Sequence, residues 1–128
     1  MESLFLTNQS EQTFLEIIKQ NLRTCLSFCF SVSFIKKAGL ILLFPDIKAA
    51  IERGANGKLI TSTYQNFTDV ESLKFFLGLT NNPNFECHLD YDCFFDEKNY
   101  TKRGFHSKGY IFDYDTESEL IIGSSNIT

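Results

Sequence analysis

Residues Phe105–Thr128 read FHSKGYIFDYDTESELIIGSSNIT. Tyr110, Ile111 and Phe112 form one apolar run, Leu120 to Ile122 form a second, and the polar stretch Asp113–Glu119 separates them. Two such runs across a polar turn predict an antiparallel hairpin. In an extended strand successive side chains alternate faces, so His106 and Lys108 share a side, about 6 to 7 Å apart. An imidazole and an ammonium so spaced suit a phosphate. Asp113 falls on the opposite face from His106, where a carboxylate is better placed to accept hydrogen bonds than to do chemistry. The hairpin also folds the corner Gly123-Ser124-Ser125-Asn126 back towards the histidine.

His106-Ser107-Lys108, four residues, Asp113 and then Gly123-Ser124-Ser125-Asn126 resembles the signature of the phospholipase D superfamily, H-x-K-x4-D followed by G-S-x-N. Nine residues separate the aspartate from the glycine, a little more than the six often seen in that family, and a longer hairpin turn absorbs the difference. Upstream, Ser31 to Gly78 is similar to the phospholipase D-like nuclease domain at the N-terminus of some bacterial superfamily II helicases. The resemblance implies an α/β fold: a mixed, largely parallel sheet flanked by helices, with the motif on a C-terminal β-hairpin. It also implies roles for His106, Lys108 and Asp113 at the catalytic centre. His106 would be the nucleophile that forms a phosphohistidine, Lys108 and Asn126 would bind the non-bridging oxygens, and Ser124 would add a donor. Asp113 would fix local structure.

Only one such motif is present, since His88 is followed by Leu89 and Asp90. The leaving oxygen needs a general acid, which the resemblance assigns to His106 of a second copy in a homodimer. The scheme calls for no metal and no cofactor. Family members continue from the G-S-x-N turn into a helix, whereas this chain stops two residues after Asn126. The expectation is therefore a single domain over residues 1–128, the N-terminal fragment of a longer multidomain protein carrying helicase or other modules.

Composition sets the outer limits. With 128 residues, 43% hydrophobic and 15% aromatic, the chain has material for one core. Glu2 and the lack of a basic segment before an apolar run exclude the pattern of a signal peptide, and Lys36 and Lys37 interrupt the apolar region Leu26–Phe44, which excludes a membrane span. A cytoplasmic protein without membrane contact is expected. Cys25, Cys29, Cys87 and Cys93 are then expected as free thiols. Cys25 and Cys29 do not have zinc-cluster spacing, and Cys87 with His88 is merely adjacent. The net charge is -4, and nine of the sixteen acids lie between Glu86 and Glu119, so affinity for a polyanion has to come from local groups such as Lys98, Lys102 and Arg103.

Along the chain, Asn8 with Glu11 resembles a capping box ahead of a helix that carries Phe14, Ile17, Ile18 and Leu22 to about Arg23. From Ser27 the alternation is strict: Phe28, Phe30, Val32 and Phe34 on one face, Ser27, Cys29, Ser31 and Ser33 on the other. That predicts a strand whose small face suits close packing by another backbone. A helix from about Lys36, kinked or broken at Pro45, ends at Gly54. Lys58–Thr63 is a second strand, Thr68 and Glu71 cap a helix ending at Gly78, and Phe85–Leu89 is a third strand. Asp90–Arg103 reads as a loop leading into the hairpin. Strands alternating with helices predict βαβ units.

The function these readings favour is a metal-independent phosphodiesterase, a nuclease acting on nucleic acid, with DNA preferred to RNA as partner. The alternative is a non-catalytic module of a helicase or restriction protein that binds a phosphate backbone or dimerises its parent. Lipid phosphodiesterase activity is disfavoured by the absence of a secretion signal, a second motif and an apolar lipid-binding segment.

Overall fold

The alternating stretch becomes the middle of the sheet. In a computed structural model, which describes Ser3 and residues 13–62, 68–90 and 107–128, strand β1 spans Ser27–Val32 with Phe28, Phe30 and Val32 buried. It is flanked by β2 (Asn56–Ser62), parallel to it, and by β4 (Lys108–Asp113), antiparallel. Outside these lie β3 (Phe85–Asp90), parallel to β2, and β5 (Ser118–Ile122), antiparallel to β4, giving the order β3-β2-β1-β4-β5. The sheet is mixed, as expected, but evenly so: two ladders are parallel and two antiparallel, because β4 pairs with β1 and not only with β5. Local pattern cannot show that insertion.

Three helices, α1 (Phe14–Thr24), α2 (Lys37–Arg53) and α3 (Val70–Leu79), cover one face. The connections β1-α2-β2 and β2-α3-β3 step the same way across the sheet, and two crossovers of one hand put both helices on one side. Apolar side chains from all three helices join Phe28, Phe30, Tyr110 and Phe112 in a single core. Phe30 meets Tyr110 and Phe112 edge-on at 5.1 and 5.6 Å, and Phe14 of α1 meets Tyr110 at 5.1 Å. On the other face, no described helix lies over Cys29, Ser31, Ile111, Leu120 and Ile122. The small face of β1 therefore lines an open surface, and among the described residues no second backbone packs on it.

The capping of the helices differs from expectation in ways that the chemistry explains. At α1 the box is Thr13 with Glu16, three residues apart like Asn8 and Glu11, which lie outside the described residues. At α3 the N-cap is Asp69, and Thr68 spends its hydroxyl on tertiary partners: it donates to Ser62 O (3.0 Å) and accepts from Ile35 N (3.2 Å). Helix α2 runs through Pro45 as one 17-residue element and does not break there. Burial of Leu40, Leu43, Ile47, Ala50 and Ile51 along its core-facing side outweighs one missing N–H. It ends at Gly54, whose φ of 105° only glycine adopts without strain. Helix α3 continues one residue past Gly78, and no helix is long and apolar enough to cross a membrane among the described residues.

The last residues are built into the core. Ile127, 2% exposed, bridges Ile35 in parallel, and Lys36 N donates to Ile127 O at 2.7 Å. Gly39, in the first turn of α2, lies so near that a Cβ there would sit 2.5 to 2.6 Å from backbone atoms of Thr128. Gly39→Ala should therefore lower the unfolding free energy by about 1–3 kcal/mol in urea melts. Gly78→Ala is the control: a Cβ there meets nothing within 4 Å, and stability should stay level or rise by up to about 1 kcal/mol.

Candidate functional site

Parallel strands leave their carboxyl ends, with side chains and loop amides, at one edge of a sheet, where α/β proteins commonly bind ligands. Here that edge holds the exit of β1, the start of β4 and the exit of β5, since Val32 pairs with Lys108 and Gly109 with Ile122. The residues leaving β1 have no further strand to satisfy their backbone. Ser33 N and Phe34 N instead donate to Oδ1 of Asn126 at 3.0 and 3.1 Å. A short carboxamide suits this task, because one oxygen can accept from two neighbouring amides.

Ser33, fully buried, is the hub of the edge. Its hydroxyl donates to Ser107 O at 3.2 Å, its carbonyl accepts from Ser62 Oγ at 3.1 Å, and Lys108 Nζ lies 3.5 Å from its hydroxyl. The Lys108 ammonium also sits 6.0 Å from the centre of the Phe34 ring, a favourable place for a cation. Beside this, Ser31 Oγ donates to Ser107 Oγ at 2.7 Å. The glycine-serine corner is pinned twice: Gly123 N donates to Lys108 O at 3.4 Å, and the Tyr110 hydroxyl to Ser125 O at 2.7 Å. Burial pushes the Tyr110 phenol far above its ordinary pKa, so it stays a donor throughout the working pH range.

The expected site residues distribute as follows. Lys108 and Asn126 meet at this edge, both bonded to Ser33. Ser124 belongs to the same corner and is exposed. Asp113 does not join them: five residues along β4 from Lys108, it lies about 17 Å away at the other end of the strand. There it accepts from Ser27 Oγ at 3.1 Å and from Ser118 Oγ at 2.5 Å, binding β1 and β5 to the foot of the hairpin. This agrees with a structural use of that carboxylate. His106 lies outside the described residues, as do Lys98, Lys102, Arg103 and Cys93.

Ser31, Ser33 and Ser107 were not among the expected site residues. The trace of Ser31 and Ser33 in the sequence is the small, polar face of the alternation, which points equally to tight packing, and that of Ser107 is only its place between His106 and Lys108. Cys25, Cys29 and Cys87 are free thiols, each raised in pKa by burial, as inert structural cysteines are. No group of histidine, cysteine and carboxylate side chains able to hold a metal occurs among the described residues. No family model matches the chain, and no curated protein matches it.

The double acceptance by Asn126 assigns the structural task to its oxygen and leaves its Nδ2 group outside these two bonds. Asn126→Ala strips acceptors from two N–H groups and should cost about 1–3 kcal/mol in stability. Asn126→Asp keeps an acceptor oxygen, so its urea midpoint should stay near that of the parent, while the two Nδ2 donors are gone. Equal destabilisation by both changes would show that the oxygen is not what holds the strand exit.

Proposed function

We propose that this chain is a metal-independent phosphodiesterase acting on nucleic acid, DNA before RNA, with an active site completed by a second copy. The observation that supports the proposal is the meeting, among the described residues, of Ser107-Lys108 with Gly123-Ser124-Ser125-Asn126 at the hairpin mouth, with Gly123 N on Lys108 O. An ammonium, a carboxamide and an exposed serine hydroxyl are then grouped at the carboxyl edge of the parallel strands, a suitable set for the oxygens of a phosphoryl group.

In the proposed reaction the neutral imidazole of His106 attacks phosphorus, an N–P bond forms and the P–O bond to the leaving group breaks. The leaving oxygen takes its proton from the partner's His106. Water then attacks the phosphohistidine, the N–P bond breaks, and the water's proton passes to the partner's ring, which restores both histidines. Lys108 and the Nδ2 group of Asn126 hold the non-bridging oxygens, and Ser124 adds a hydroxyl donor. One ring cannot be neutral for attack and protonated for donation in the same displacement, hence the second copy. The rings start equivalent, so their titration belongs to the pair.

Single-stranded DNA should be hydrolysed in excess chelator, with loss of at least about 10³-fold in His106→Ala. Acid-labile phosphate should be trapped on the wild-type chain. Titrating His106→Ala into wild type should depress activity more steeply than dilution alone, because mixed dimers lose one role. Activity that disappears in chelator and returns with magnesium would exclude the mechanism. Tight DNA binding with no turnover at any pH would leave a phosphate-backbone-binding module instead.

A further inference from the structure

Ser33 has no part in the reaction scheme, yet it is bonded to both Lys108 and Asn126. It is the first residue after β1 and is 0% exposed. The side chain of Lys108 starts from the same face of the sheet as Tyr110 and Phe112, and its strand partner is the buried Val32. Its ammonium therefore reaches along the edge to Ser33 and Phe34 and not across the open face.

Chemistry fixes the direction of these bonds. An ammonium only donates, whereas a hydroxyl has one hydrogen to give and lone pairs to accept with. The Ser33 hydrogen goes to Ser107 O at 3.2 Å, which leaves its oxygen to accept from Lys108 Nζ at 3.5 Å. A directed chain results, Lys108 Nζ to Ser33 Oγ to Ser107 O, in which each donor polarises the next. It returns to the motif itself, since Ser107 lies between His106 and Lys108. The backbone of the same serine holds the other half of the site: Ser33 N donates to Asn126 Oδ1 at 3.0 Å, and Ser33 O is tied in turn by Ser62 Oγ at 3.1 Å.

We propose that Ser33 is a positioning residue for phosphate: its buried hydroxyl sets where the Lys108 ammonium stands relative to the Asn126 carboxamide, and so governs the affinity of the pair for a phosphoryl group. The inference rests on the phosphodiesterase reading and adds to it a residue that the substrate does not touch. A lysine side chain is long and loses much rotamer freedom when held, so an acceptor already in place lowers the cost of ordering it on binding. Other small residues do not serve. Alanine supplies neither donor nor acceptor, and the thiol of cysteine is weak in both roles. Threonine needs room for a methyl group where the serine is already shut off from solvent.

The test follows the chain carrying ¹³C-labelled lysine by NMR, with inorganic phosphate as the probe. Phosphate should shift the Cε signal of Lys108 in the wild type, and Ser33→Ala should weaken that response roughly tenfold, the loss expected for one hydrogen bond to a charged group. The two Cε protons of Lys108, inequivalent while the ammonium is held, should become equivalent in the variant. Ser33→Cys should act in the same direction and serves if the alanine variant folds poorly. Ser62→Ala is the control for general loosening: it removes a buried bond to the Ser33 carbonyl and should lower the urea midpoint, but leave phosphate affinity within about twofold. No phosphate shift at Lys108 in the wild type, an unaltered affinity in the Ser33 variants, or an equal loss in Ser62→Ala would each overturn the positioning role. With single-stranded DNA as substrate, a lack of hydrolysis beside Ser33-dependent phosphate binding counts against the catalytic reading only. Hydrolysis with the same kcat in Ser33→Ala as in the wild type counts against the positioning role only.

Discussion

Two amide groups at the exit of the central strand set the terms for this end of the molecule. A strand in the middle of a sheet has its backbone satisfied on both sides, but Ser33 and Phe34 leave the ladder while still within the protein. A buried N–H without a partner costs about 1–3 kcal/mol. The chain meets that demand with a side chain 92 to 93 residues away, Asn126, and in doing so draws the segment after β5 against the start of α2. Ser62, Thr68 and Ser107 add bonds to the same junction. What results is a polar layer at the carboxyl edge of an otherwise aromatic core, and Lys108 stands in it.

This arrangement gives the proposed phosphoryl site a rigid floor. The groups that would hold oxygens are fixed by neighbours with other duties: Asn126 by its oxygen, the glycine-serine corner by Tyr110, Lys108 by its place as the first residue of β4. Preorganised donors lose little freedom on binding, and much of an enzyme's electrostatic stabilisation depends on that. Asp113 contributes from the far end, where its two serine bonds fix the hairpin against β1 without approaching Lys108.

Much of the fold could be read from the sequence where a pattern had one physical meaning. The Phe/Ser alternation at Ser27–Val32 admits only a strand with one buried face, and the apolar runs around Asp113–Glu119 admit only a hairpin. Ambiguity entered where one residue type serves several uses. Thr68 looks like a cap because a threonine three residues before a glutamate usually is one, yet its hydroxyl is claimed by Ser62 and Ile35. Pro45 looks like a break, yet the apolar side of α2 continues through it. The pairing of β1 with β4 leaves no local trace, so the balance of parallel and antiparallel ladders was out of reach. For the same reason the hairpin pattern pointed to Lys108 and Asn126 lying at one edge, but not to the serines that join them there.

The distance along the chain between paired strands has a consequence for how the molecule assembles. Ser27 and Asp113 are bonded across 86 residues, whereas β1, α2 and β2 are close neighbours in sequence. Contacts of long span carry a larger loss of chain entropy before they return any stability, which slows folding in sheets of high contact order. The corner at Lys108 therefore exists only when both ends of the chain are in place, and partial structures built from the first βαβ unit alone leave Ser33 and Phe34 open to solvent. Hydrogen exchange at those two amides reports directly on this. Protection equal to that of the central ladder means that the edge opens only with the whole domain, and faster exchange means that the hairpin detaches as a unit of its own.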